Sequence, residues 1–246
     1  MKMAESFENF KRIFTDVFNK NGLSRFTGDQ TAKKFYDFAV FLAEANEKTN
    51  LTAISGAEDT VLKHFADSLI AEEMFPESST VVDVGCGAGF PSIPLAIVRP
   101  DLKITPLDSI GKKIDFVKSA ACELGLTNLT PVCARAEEFV AENRETFDVA
   151  TARAVSRLNV LSELALPLVR VGGLFVAMKA KDGECELDEA KRGIGTLGGS
   201  VERVEKVSLT PLFGESLERV SILIEKISAT PEKYPRAYAK ITKNPL

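Results

Sequence analysis

The sequence predicts an α/β fold: a mostly parallel, seven-stranded sheet with helices on both faces, an antiparallel pair at one edge and a helical extension before it. Three observations carry this expectation. After Pro76, short apolar runs alternate with amphipathic stretches, the rhythm of strand–helix–strand units. A loop containing Gly85, Gly87 and Gly89 directly follows the first of those runs. The residues before Pro76 instead show helical apolar spacing.

Phe7, Phe10, Phe14, Val17 and Phe18 share one helical face. A second helix starting near Asp29 aligns Phe35, Phe38, Ala39 and Leu42. "NEKTNLTAISG" is a polar, turn-rich break. A third helix from about Glu58 carries Val61, Leu62, Phe65 and Leu69. Beyond it, "TVVDVG", "KITPLD", "LTPVCA", "FDVATARA" and "GGLFVAMKA" read as strands. Between them, "PLAIVR" reads as a helix with proline tolerated in its first turn. "GKKIDFVKSAACELGL" and "RLNVLSELALPLV" are the other two helices. "VERVEKVSLT" and "ERVSILIEKI" flank a turn at "PLFGES" and form the antiparallel pair. The chain thus divides into a helical extension (1–75), a core (76–230) and a basic tail (231–246).

With 246 residues, 45% hydrophobic and 27% charged, the chain has the composition of a soluble domain with a sizeable core. Its net charge of −4 gives no global attraction to nucleic acid, so an RNA partner needs a local basic patch. "MKMAESFENFKRIF" lacks the apolar centre of a signal peptide, and no run reaches membrane-spanning length. Cys86, Cys122, Cys133 and Cys185 form no C-x-x-C pair, and His64 is the only histidine, which argues against a zinc site. Free thiols in a reducing cytoplasm are the expectation.

Glycines after the first strand of such a sheet let the backbone approach a ligand at the strand's carboxyl end. Asp108 ends the next strand, roughly twenty residues on, where a carboxylate can hold both hydroxyls of a ribose. A dinucleotide loop wants glycine or alanine at its sixth position, with free N–H groups for pyrophosphate. Here that position is Phe90, and Pro91 and Pro94 follow. A bulky ring and missing donors suit a cationic, phosphate-free ligand better, which weighs against a nicotinamide-dependent oxidoreductase.

Asp83-x-Gly85-x-Gly87-x-Gly89 with the downstream acid Asp108 resembles the first two motifs of S-adenosylmethionine (AdoMet)-dependent methyltransferases. The resemblance implies a Rossmann-like fold and a glycine loop lying under the cofactor's amino-acid and ribose portions. It narrows through "NLTAI", "HFADSL", "DVGCGAGFPSIPLAIVRPD", "LDSIGKK", "ARAEEF", "ATARAV" and "KNPL". Together these resemble the RsmG (GidB) family, bacterial methyltransferases of guanine N7 in a loop of small-subunit (16S) ribosomal RNA. The resemblance runs from about residue 50 to the C-terminus. Ser92 departs from it, standing where that family usually has glycine.

What the resemblance implies for this chain is AdoMet as cofactor, with contacts at Gly85, Phe90, Ala136, Glu137 and Arg153, to which the motif residues Asp83, Gly87, Gly89 and Asp108 are added as expected cofactor contacts. The substrate it implies is 16S RNA, free or in an assembling 30S particle. From the residues themselves a monomer is expected, since no long exposed apolar helix face remains unassigned, with no membrane or metal. Guanine N7 is a lone-pair nucleophile with no proton to lose, so alignment replaces general-base catalysis. Consistently, "TARAVS" after the fourth strand has neither an Asn/Asp-Pro-Pro-aromatic motif nor a cysteine nucleophile. Arg153 is the candidate for alignment or charge stabilisation.

Arg157, Lys179 and Lys181 share the ligand edge of the sheet and are candidate RNA contacts. His64 and Asp67, one helical turn apart, either line the substrate mouth or tie the helices to the sheet. Asn50 is either functional or a turn residue capping its own backbone. Cys86 fills a loop position that needs a small residue. In the tail, Lys233, Arg236, Lys240 and Lys243 interleave with Tyr234 and Tyr238, so cations could meet phosphates while rings stack on bases. That reading expects the tail to fold over the edge bearing Arg153 and Lys179.

Overall fold

The computed structural model describes residues 6–246; the signal-peptide reading rests partly on residues 1–5, which lie outside the described residues. Two long helices open the chain, α1 (Phe7–Lys20) and α2 (Asp29–Thr49). Ser6 caps the first by accepting a hydrogen bond from the Asn9 amide at 3.4 Å. Asn50 ends the second in the left-handed conformation, φ 48°, which asparagine tolerates better than most residues. The third helical segment is a single path of α3 (Ala57–Thr60), a π-helical stretch Val61–Ala66 and α4 (Asp67–Leu69). The wider turn falls on His64, and such bulges concentrate at functional sites.

The sheet comprises β1 (Thr80–Val84), β2 (Lys103–Asp108), β3 (Val132–Cys133), β4 (Phe147–Arg153), β5 (Val169–Ala180), β6 (Gly199–Leu209) and β7 (Leu217–Lys226). Their order is β3-β2-β1-β4-β5-β7-β6, the first five strands parallel. β7 is antiparallel to both neighbours and lies inside β6, so the last strand of the chain is not the last of the sheet. The order turns around between β1 and β4, and ligands of open α/β sheets bind at such a switch point.

Connecting the strands are α5 (Ser92–Val98), α6 (Gly111–Glu123), α7 (Ala136–Asn143), α8 (Leu158–Ala165) and α9 (Gly183–Thr196); α10 (Tyr238–Lys243) lies in the tail. The sequence reading assigned α7 only its first residues and left α9 unassigned. Gly183, Gly193 and Gly195 dilute the helical signal of α9, although Leu187, Ala190 and Ile194 are buried at helical spacing. Alternate strand residues feed two cores. Val81, Val149 and Val176 pack with α1, α2, α5 and α6, whereas Val82, Ala150 and Phe175 pack with α8, α9 and the tail. The N-terminal helices join the first core through aromatic contacts, Phe38 with Phe90 at 5.4 Å and Phe41 with Phe116 at 5.4 Å. No helix of the described residues is long and apolar enough to cross a membrane.

Candidate active site

A cavity of 530 Å³ opens at the carboxyl ends of β1, β2 and β4. The glycine loop forms its floor. Gly85, Gly87 and Gly89 all have positive φ, of 77°, 58° and 86°. The three have different tasks. A Cβ on Gly87 would meet nothing within 4 Å, so the bare backbone leaves room above it. A Cβ on Gly85 would lie 2.8 Å from Val155, and one on Gly89 would lie 2.5 Å from Ile93 of α5. Gly85 and Gly87 line the cavity; Gly89 does not, because its bareness serves helix packing.

Asp83 also lies off the cavity, fully buried beneath the loop. It is therefore a support of the loop, a correction to its placement among the ligand contacts. Its Oδ2 accepts from the Ser92 hydroxyl at 2.5 Å and from the Ser92 amide at 3.3 Å. Ser92 thus fastens the loop to the strand through a bond that glycine lacks. Burial pushes the Asp83 pKa up to about 7 against the opposing Ser92 bonds.

Asp108 faces the cavity with its backbone duties clear: Oδ2 accepts from the Gly87 amide at 3.0 Å and Oδ1 from the Ile110 amide at 2.9 Å. Oδ2 also meets Lys113 Nζ at 3.4 Å, so Oδ1 is the oxygen that keeps a lone pair for a ribose hydroxyl. Across the cavity, Ala136 and Glu137 begin α7, where amides point outward; Glu137 sits 3.6 Å from Arg135. Arg135 and Tyr238 also border the cavity, the guanidinium 5.9 Å from the ring centre. Arg135 was not a sequence candidate, because a cation on a helix cap carries no local signal; Tyr238 was expected to stack on RNA bases, and its place at this cavity is set by the fold.

At the far wall, His64 stacks on Phe90 with ring centres 4.2 Å apart and planes 4° from parallel. Its Nε2 meets the Thr52 hydroxyl at 2.8 Å. Burial, reinforced by the Arg153 cation, drives the His64 pKa down to about 3. Arg153 donates to Asp67 at 2.8 Å and to the Lys63 carbonyl at 3.0 Å, and lies 5.2 Å from the Phe90 ring centre. Asp67 accepts a second cation, Arg219 of β7, at 2.7 Å. His64 thus lines the cavity, while Asp67, through Arg153 and Arg219, ties the helical segment to the sheet. Arg219 was missed because its partner is 152 residues away.

Two linked pH effects follow. The folded protein keeps His64 neutral while the unfolded chain protonates it below about pH 6.5, so His64 reduces stability as pH falls through that value. The raised Asp83 acts oppositely: the folded state holds its proton first, so its contribution improves as pH falls below about 7. A His64→Gln variant should therefore gain stability relative to wild type between pH 6.5 and 5, at up to about 1 kcal/mol per pH unit. Parallel urea titrations of the two proteins check this; equal slopes would mean His64 titrates normally.

The candidate RNA contacts divide sharply. Lys179 is buried, its Nζ donating to the Ser156 carbonyl at 2.5 Å and pairing with Glu186 at 2.7 Å. Arg236 is held by Glu163, a carboxylate with no exposed surface, at 2.6 Å. Both cations are therefore committed to carboxylates, half-buried Glu186 and buried Glu163, and are not open to phosphate. Arg157 is exposed but paired with Glu189. Lys181, Lys233, Lys240 and Lys243 are exposed.

The tail packs on α8 and α9, away from the Lys179 edge: Tyr234 and Ile241 are buried and Leu246 covers Gly193. Only Tyr238 reaches the cavity, from the α7 side. Removing 231–246 would strand Glu163, so we expect a loss of about 3–5 kcal/mol in urea unfolding. A truncated protein of unchanged midpoint would return the tail to a loosely attached terminus.

The cavity volume falls within the usual small-ligand range, and its groups fit AdoMet: a ribose carboxylate, bare backbone above Gly87 and a helix start beside Glu137. Fold and site together define an AdoMet-dependent methyltransferase. The fold is similar to that of the M. jannaschii TYW2 structure in complex with AdoMet, with TM-score 0.53 at 16% identity over 65% of this chain and 75% of that one. It is also similar to the [4+2]-cyclase SpnF, TM-score 0.55 at 14% identity over 81% and 96%. Residues 31–212 match the family GidB, rRNA small subunit methyltransferase G, and the chain belongs to that family. Relatives named ribosomal RNA small subunit methyltransferase G are 50% identical in Staphylococcus carnosus, over 89% of this chain and 92% of the relative. In Brevibacillus brevis the figures are 45%, 96% and 99%.

Proposed function

We propose that the protein transfers a methyl group from AdoMet to N7 of a guanine in small-subunit (16S) ribosomal RNA, acting in the cytoplasm as a monomer on free RNA or the assembling 30S particle. One observation carries the choice of atom: apart from Asp108 and Glu137, which the cofactor engages, this cavity holds no group suited to take a proton near neutral pH. The neutral His64 imidazole is a very weak base and is engaged with Thr52; burial pushes the Cys86 thiol up; Asp83 is sealed beneath the loop. Exocyclic amines must lose a proton on methylation, whereas N7 offers a lone pair directly.

When bound, AdoMet supplies an electrophilic methyl carbon on a sulfonium. Asp108 holds the ribose and Glu137 the adenine end, while Phe90 and Val155 exclude water from the reacting wall. Arg153 positions. Its charge is answered by Asp67, and transfer merely moves one positive charge from sulfur to purine, so a cation gains nothing by stabilising it. The exposed Lys240 and Lys243 lie on the same short helix as Tyr238 and provide phosphate contacts at the cavity rim.

The experiment is methyl transfer from tritiated AdoMet to small-subunit RNA and particles lacking the modification, followed by nucleoside analysis. The expected product is 7-methylguanosine; 5-methylcytidine or N6-methyladenosine would overturn the reading. Replacing Lys240 and Lys243 with glutamine should weaken RNA binding and flatten its salt dependence by about 1–2 in log–log slope. An unchanged slope would move the RNA contact elsewhere.

A further inference from the structure

A second cavity of 340 Å³ adjoins the first, and Arg153, Ala154 and Val155 border both. The shared wall is conformationally unusual: Ala154 is held at φ 55°, a region L-residues rarely adopt and one that recurs at functional sites. Ile70, Val155 and Met178 give this cavity apolar surface; Asp67, Arg153 and Lys179 border it too but are engaged in ion pairs, which leaves Glu186 and Arg219 as the charged groups with capacity to spare.

Both charged groups are half-committed. Glu186 Oε2 accepts from the Leu158 amide at 2.7 Å and pairs with Lys179 at 2.7 Å, which fixes the carboxylate. Its Oε1 has no partner among the described residues. Arg219 gives Nε to Asp67 and Nη1 to the Glu218 carbonyl, leaving Nη2 without a partner among the described residues. One wall of the cavity therefore offers an acceptor and another a donor, both immobilised by their remaining bonds.

We infer that this second cavity seats the purine to be methylated and that Glu186 and Arg219 read it as guanine; the inference rests on the guanine reading proposed above. With N7 towards the shared wall, guanine presents O6 as an acceptor and N1–H and the N2 amine as donors. Oε1 of Glu186 accepts from the N1–H and N2 edge, and Nη2 of Arg219 donates to O6. Adenine inverts both signs, placing a lone pair against the carboxylate and an amine against the guanidinium. Mispairing of buried polar groups discriminates far more strongly than a change of size. The apolar side chains take the faces of the ring, as in other pockets for an extruded base.

The test compares guanosine and inosine at the methylated position of small-subunit RNA ligated from two pieces, used free and reconstituted into particles. Inosine keeps N7, O6 and N1–H but lacks the N2 amine. Wild type should methylate guanosine about 10-fold more efficiently, by kcat/KM. In Glu186→Gln, kcat/KM on guanosine should fall about 10- to 100-fold, the scale of a hydrogen bond to a charged group. Its guanosine preference should also collapse to about 1–2-fold, while AdoMet affinity by calorimetry stays within about 2-fold. A merely structural Glu186 would lower activity and leave the preference intact; that result overturns the inference. Should the variant fail to bind AdoMet or to fold, the wild-type comparison decides, since equal rates on guanosine and inosine also overturn it. Absence of any transfer to guanosine RNA in either form defeats the underlying reading and this inference with it. Transfer to guanosine without the Glu186 effect defeats the inference alone.

Discussion

Replacing Gly85 with valine is expected to abolish AdoMet binding in calorimetry, an affinity loss beyond about 100-fold, while the sheet still forms. Two independent penalties coincide at this position. Its φ of 77° lies where a β-branched residue is a genuine outlier, costing about 1–2 kcal/mol in conformation alone. In addition, a Cβ would stand 2.8 Å from both methyl groups of Val155. Relief of that clash requires the loop to lift or Val155 to withdraw, and either distorts the wall shared by the two cavities. The amides of Gly85 and Cys86 bond to the Leu107 carbonyl at 2.7 and 3.0 Å, so lifting the loop also strips its anchor to β2. The sheet's own register lies upstream of these bonds and should survive, visible as retained circular dichroism. Gly87→Ala is the contrasting variant. Its Cβ enters open space, so any loss there is felt by the ligand and not by Val155. An unchanged affinity in a folded Gly85→Val protein would remove the loop from the cofactor site.

The second large effect is expected from Arg153→Met. The variant leaves Asp67, a buried carboxylate, with Arg219 as its sole cation, and removes the guanidinium that lies 5.2 Å from the Phe90 ring centre. Breaking a buried pair from one side costs about 3–5 kcal/mol. The urea midpoint should drop accordingly, and kcat/KM for methyl transfer should fall at least about 100-fold, as expected when a positioned group that orients the reacting partners is lost. Arg153→Lys should rescue little of either. A single ammonium cannot reproduce the fork that reaches both Asp67 and the Lys63 carbonyl. If Lys restored full activity, charge and not placement would be the role of Arg153. A fall of only about 2-fold in the Met variant would remove Arg153 from the machinery altogether.

What the sequence determined by itself is everything carried by near neighbours. Alternating and helical apolar spacing marks each strand of the sheet and the helices that cover it, because burial of a face is enforced residue by residue along one element. The glycine loop and Asp108 were legible for the same reason: each follows directly from the end of a strand, and parallel strands bring those ends to one edge. Asn50 as a left-handed cap is likewise local. The helix α9 escaped because its three glycines blur a pattern that only Leu187, Ala190 and Ile194 sustain.

Only the tertiary structure decided which charges are free. Lys179 and Arg236 look like phosphate ligands in the sequence; Glu186 and Glu163 claim them in the fold. Arg219 and Glu186 carry no local mark at all, yet they line one cavity because β7 inserts beside β5 and α9 returns over its end. Asp83 stands two residues before Gly85 in the chain, yet it lies off the cavity and holds the loop through Ser92. The reason is common to all of these. Apolar burial repeats along an element and so leaves a period in the sequence, whereas an ion pair between distant residues is a single event in space and leaves none.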